Sequence, residues 1–182
     1  METLVIHPKD NSTDFLKPIY QNLQNKTVLS GGVTKKFVRD LIKTHDRVIM
    51  LGHGCPYGLF NIRGMFENCG GLIIDRGDVE LLNKKEGNIF IWCNADNFVE
   101  LYDLKGYYSG MFVSEVGESN YCDVPSDLKT VTESNDKFSE LLGETINENF
   151  QTIYETVKCG YEKFSENNIV AKYNNNRLYI NI

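Results

Sequence analysis

The chain has no apolar run long enough to cross a bilayer. Its longest, such as Val48–Leu51 and Ile89–Cys93, are a fraction of the roughly 20 residues a membrane helix needs. Positive charge is also in short supply. Lys and Arg number 19 against 25 Asp and Glu, a net charge of −6. Nucleic acid and anionic membranes are held by clustered cations, so neither is expected as a partner. No CxxC occurs among the five cysteines, Cys55, Cys69, Cys93, Cys122 and Cys159. Met1-Glu2-Thr3-Leu4-Val5-Ile6 carries no signal-peptide pattern, so free thiols in a reducing cytoplasm are expected rather than a disulfide framework. His53 and Cys55 are neighbours and Cys69 could approach them, but no second ligand pair completes a zinc pattern. Neither GxGxxG nor GxxxxGK[ST] follows any strand, which excludes a phosphate loop. No metal and no organic cofactor is expected. Repeats, low-complexity segments and linkers are missing too, and residues 1–182 read as one domain.

What is present is a strand–helix alternation in a chain that is 41% hydrophobic. Leu4–His7 predicts a strand. Asn11-Ser12-Thr13-Asp14 then supplies caps for a helix carrying Phe15, Leu16, Ile19, Tyr20 and Leu23 at helical spacing. Thr27–Ser30 predicts a second strand, and Phe37, Val38, Leu41 and Ile42 share one face of a helix begun by Thr34. Val48–Leu51 is apolar throughout, as a strand covered on both faces should be. This βαβαβ order predicts an α/β fold, a mostly parallel sheet with helices on both faces. Leu59–Ile62 and Leu72–Asp75 predict a small antiparallel hairpin over the sheet edge. Val79–Lys85 reads as a short helical turn, Ile89–Trp92 as the fourth core strand, and Asp96–Asp103 as a helix. Met111–Val116 predicts the fifth strand, with Tyr107 and Tyr108 either core residues or cleft lining. An amphipathic helix or helix pair is expected from Asn135 to Phe164. The tail, Ile169–Tyr173 with Arg177–Ile180, predicts a closing hairpin.

Two of these strands end on reactive side chains. Gly52-His53-Gly54 follows the third, and Trp92-Cys93-Asn94 ends the fourth. Consecutive parallel strands present their carboxyl ends on one edge, so the imidazole and the thiol can meet across a cleft there. That pair is the minimum equipment for cysteine nucleophilic catalysis. Glycines on both sides leave His53 uncovered. A helix beginning at Asn94-Ala95-Asp96 would favour the Cys93 thiolate and offer backbone N–H groups to an oxyanion. His7 reads as a loop residue and His45 as a cation at a helix end.

The order of His before Cys, both placements at strand ends, and the hairpin between them resemble the caspase-like cysteine peptidases, a group that includes caspases, metacaspases, gingipains, legumains, separases and CHAT domains. The spacing of 40 positions compares with about 50 for the caspase pair. The resemblance spans Leu4 to Val116. It implies a caspase-like three-layer sandwich with His53 as catalytic histidine and Cys93 as nucleophile. It also implies an oxyanion hole from the N–H groups of Gly54 and Cys93, and a peptide or protein as substrate. Trp92 stands where most relatives keep a small residue, and no glycine follows at the second position after the cysteine. These departures leave a second reading, a catalytically inactive caspase-like or flavodoxin-like module that binds a protein partner or small ligand. Asp96, Glu115 and Glu118 follow the fourth and fifth strands and would select a basic substrate side chain by charge-paired hydrogen bonds. Arg63 and Arg76, in the hairpin, would instead select an acidic one.

Overall fold

A computed structural model describes all 182 residues. The central sheet is built from β1 (Thr3–Ile6), β2 (Lys26–Leu29), β3 (Arg47–Leu51), β7 (Ile89–Ile91), β8 (Gly106–Ser109) and β9 (Leu178–Asn181), ordered β2-β1-β3-β7-β8-β9. Every neighbouring pair is parallel except β8 with β9, which runs antiparallel at one edge. The order reverses between β1 and β3, because the chain leaves β1 for one edge and returns past it to β3. A crevice opens at such a reversal, outside the carboxyl ends of the strands.

Side-chain parity along the strands divides the interior into two cores. Val5, Ile49, Leu51, Ile89, Ile91 and Tyr107 belong to one. That face is covered by α1 (Pro18–Gln21), α6 (Leu128–Thr145) and α7 (Phe150–Ser165), which contribute Ile19, Phe138, Leu142, Ile153 and Val157. Leu4, Ile6, Val48, Met50, Phe90, Trp92 and Tyr108 face the other way, under α2 (Lys35–Thr44), α3 (Val79–Leu82) and α4 (Ala95–Leu101). Helices therefore lie on both faces of a mostly parallel sheet, as the strand–helix order predicts.

Between β3 and β7 the chain forms a second, three-stranded antiparallel sheet of β4 (Gly54–Cys55), β5 (Gly58–Phe60) and β6 (Leu72–Ile74). The expected hairpin is present, with one further strand. Gly58 is required where β5 meets β6: its φ is +144° and a Cβ there would lie 1.9 Å from the Ile74 carbonyl oxygen. The small sheet is tied to α2 by a buried charge cluster. Asp78 accepts from Lys35 Nζ at 2.7 Å and from Arg39 Nε at 2.7 Å, and its side chain has no solvent exposure.

Three expectations need correction. The fifth core strand is Gly106–Ser109, so Tyr107 and Tyr108 are core residues, and Met111–Val116 is mostly loop. Val113 exchanges its backbone hydrogen bonds with the Asn174 amide, at 2.7 and 2.8 Å, rather than with a strand. The tail is not a hairpin. Asn168 caps α8 (Ile169–Asn175) by accepting from Ala171 N–H at 2.9 Å, and only Leu178–Asn181 joins the sheet. The region expected as one helix from Phe15 is a 3-10 turn, Asn11–Leu16, followed by the four-residue α1. No helix is long and apolar enough to cross a membrane.

Candidate functional site

The crevice at the β1/β3 reversal is where His53 sits. It leaves β3 through Gly52 and enters β4 at Gly54, and its carbonyl accepts from Phe60 N–H at 2.9 Å. Cys93 follows β7, the strand next to β3. Asn94 then adopts a left-handed conformation with φ 63°, which asparagine tolerates better than most residues, and α4 begins at Ala95. His53 and Cys93 line one small cavity with Thr13, Phe15, Phe112 and Ser114. Its volume is about 20 Å³, room for about one water.

Trp92, the residue that departs from the family pattern, borders this cavity without placing its ring there. Strand parity sends its indole into the opposite core, where its Nε1–H donates to the Cys55 carbonyl at 3.1 Å. Gly54 lies against the ring so closely that a Cβ there would stand 2.2 Å from Trp92 Cδ1. The tryptophan thus fixes the loop carrying His53 relative to the strand carrying Cys93.

Neither reactive side chain bonds the other. Cys93 Sγ–H is directed to the Phe112 carbonyl at 3.5 Å and to Glu118 Oε1 at 3.7 Å. Burial and then the Glu118 carboxylate push the thiol up to about 12, so at neutral pH it is protonated. This corrects the expectation of a helix-favoured thiolate: α4 has only seven residues, and desolvation with a neighbouring negative charge outweighs its dipole. Glu118 is pinned in that position. Its Oε2 accepts from Ser114 N–H at 2.7 Å, Ser114 Oγ at 3.0 Å and Glu115 N–H at 3.1 Å, at the start of α5 (Val116–Tyr121).

The three acidic residues expected to select substrate divide accordingly. Glu118 is turned inward onto the thiol, Glu115 is exposed at the start of α5, and Asp96 accepts from Asn97 Nδ2 at 3.0 Å in the first turn of α4. The structure does not bring them together on one partner. Arg63 and Arg76 are exposed in the insertion between β3 and β7.

A Glu118→Gln variant is expected to lower the Cys93 pKa from its raised value, moving the pH midpoint of alkylation at Cys93 downward when followed by peptide mass mapping. The shift is partial, because burial is the larger cause and remains.

His53 Nε2 lies 2.7 Å from Ser12 Oγ, whose hydroxyl donates to Asp10 Oδ1 at 2.9 Å. Asp10 also caps the 3-10 turn by accepting from Ser12 N–H at 3.0 Å. These two hydrogen bonds hold the carboxyl below the usual carboxylate range. The sequence presents Ser12 as a capping residue and does not single out Asp10. The missed signal was position: they follow β1, the other strand of the reversal. His7 and His45 stand where expected, in the loop after β1 and at the end of α2. Both rings are buried, His7 between Tyr20 Oη and Thr13 Oγ1 at 3.0 and 3.1 Å, and His45 between the Leu41 carbonyl and Thr27 Oγ1 at 2.8 and 3.0 Å. Burial lowers His7 to about 4, leaving it neutral. All five cysteines are free, and no cluster of His, Cys, Asp and Glu is arranged to hold a metal ion. Comparisons with protein-family models, curated proteins and solved structures find no match to this chain.

Proposed function

We propose that the protein is a cysteine endopeptidase of the caspase-like group, in a closed resting arrangement. The supporting observation is that His53 and Cys93 leave adjacent parallel strands at the same edge and line one cavity. In the reaction, the imidazole takes the Sγ proton as sulfur attacks a peptide carbonyl carbon. The oxyanion is received by the N–H groups of Gly54 and Cys93, as the family resemblance implies. Collapse breaks the C–N bond, the leaving amine takes the proton back from the imidazolium, and water hydrolyses the thioester. A 20 Å³ cavity does not admit a peptide. Productive binding therefore requires a wall of the cavity to withdraw, the Thr13–Leu16 turn or the segment from Phe112; withdrawal of the latter also frees the thiol from Glu118. Glu115 and Asp96 then leave an acidic rim suited to a basic residue before the scissile bond.

The protonated thiol and the commitment of His53 to Ser12 favour one second reading, a non-catalytic module that binds a partner in the same crevice. A set of acyloxymethyl-ketone probes with basic, acidic and neutral recognition residues separates the two. The endopeptidase reading expects covalent labelling mapped to Cys93, strongest with Lys or Arg. Absence of labelling by every probe, with Cys93 alkylated normally once the protein is unfolded, would overturn it in favour of the module.

A further inference from the structure

The hydroxyl of Ser12 sits between two groups that both claim it, and counting protons assigns the direction of each bond. Ser12 has one O–H hydrogen. Its Oγ is 2.9 Å from Asp10 Oδ1 and 2.7 Å from His53 Nε2. Asp10 is held ionised by its hydrogen bonds from Ser12, so its carboxylate can only accept. The hydroxyl hydrogen therefore goes to Asp10, and the short contact to the ring is made only if the ring donates. Of the other charged or titratable groups nearby, His7 is saturated by Tyr20 and Thr13. Arg63 acts on Asp10 through its charge and reinforces the ionised form.

We infer that Asp10 and Ser12 are positioning residues, a two-residue relay that holds neutral His53 as its Nε2–H tautomer and leaves the Nδ1 lone pair as the ring's proton acceptor. The relay reaches from the carboxyl end of β1 to that of β3, across the reversal in strand order. The tautomer of a histidine is set by the hydrogen bond its other nitrogen makes, and a base held in the wrong tautomer loses much of its effect. The catalytic consequence rests on the endopeptidase reading; the tautomer itself does not.

Long-range ¹H–¹⁵N correlation on the full chain at about pH 9, where a free imidazole is neutral, reads the tautomer directly. The His53 signals are assigned by their loss in His53→Gln. The expected wild-type spectrum has a pyrrole-like Nε2 and a pyridine-like Nδ1. Ser12→Ala is expected to give a mixture of tautomers, and Ser12→Thr to restore the wild-type pattern. Asp10→Ala, which releases the serine hydrogen towards the ring, is expected to move the population to Nδ1–H. In a cleavage assay, Ser12→Ala is expected to lower kcat by about tenfold or more with KM little changed. A wild-type Nδ1–H tautomer, or a tautomer unmoved by both Ser12→Ala and Asp10→Ala, would overturn the relay. The expected tautomer pattern without hydrolysis of any peptide would sink the endopeptidase reading and leave the relay standing.

Discussion

Cys93→Ala and His53→Ala are each expected to reduce peptide hydrolysis to background, a loss on the order of 10⁴-fold or more, while the protein stays folded. Removing the sulfur deletes the atom that forms the acyl-enzyme, and removing the ring deletes the group that ionises it. Nucleophile and base act as a unit, so the double variant should be no worse than either single one. Stability gives an independent reading of Cys93→Ala. The folded-state pKa of the thiol is raised from 9.0 to about 12. Between those values an unfolded chain loses this proton and the folded chain keeps it. The wild type therefore loses stability as pH rises above about 9, by up to about 1.4 kcal/mol per pH unit from this group alone. Below pH 9 the group contributes no slope. Denaturant titrations of wild type and Cys93→Ala should run parallel at pH 7 and converge or cross towards pH 11. Parallel behaviour throughout that range would mean that the thiol is not desolvated.

Asp78→Ala is expected to lose about 3–5 kcal/mol of stability, the range for removing one partner from a buried ion pair. The carboxylate is wholly buried and accepts from Lys35, Arg39 and the Asp75 backbone N–H, the last at 3.0 Å. Without it, the nearly buried Lys35 ammonium keeps only Asp75, at 3.1 Å, and the Ile73 carbonyl as partners. Those contacts join α2 to the three-stranded sheet that begins at Gly54, directly after His53. The variant should therefore lose protection of the small sheet first. Urea unfolding gives the magnitude, and amide exchange of β5 and β6 gives the location. A change under about 1 kcal/mol would show that the cluster adds little beyond its neighbours.

The sequence made the two strands ending on His53 and Cys93 legible because each carries an unbroken apolar run, Val48–Leu51 and Ile89–Trp92, and then breaks abruptly. A glycine pair flanks His53, and Cys93 is followed by Asn94, which takes the left-handed turn. The small sheet was legible for similar reasons, from short apolar runs and glycines. Long-range side-chain pairing was not legible. Ser12 meets His53 across 41 positions, and nothing local distinguishes that serine from a capping residue. Glu118 was expected to face substrate, and its inward turn depends on Ser114 and Glu115 offering two backbone N–H groups at the start of α5. Met111-Phe112-Val113 is a short apolar run such as a buried strand carries. Asn174, 61 positions away, takes the hydrogen bonds of Val113 instead, a contact that local patterning cannot express.

The indole of Trp92 wedged beneath Gly54 has a mechanical consequence. It rivets the turn bearing the imidazole to the strand bearing the sulfur, so these two walls shift together or not at all. Widening of the notch is left to its other walls, the Thr13–Leu16 turn and the bank where Phe112 to Glu118 hang from Asn174 and from Asn135, which donates to the Ser114 carbonyl at 2.9 Å. Those two asparagines are the tethers whose release would open that second bank and let solvent reach the sulfur.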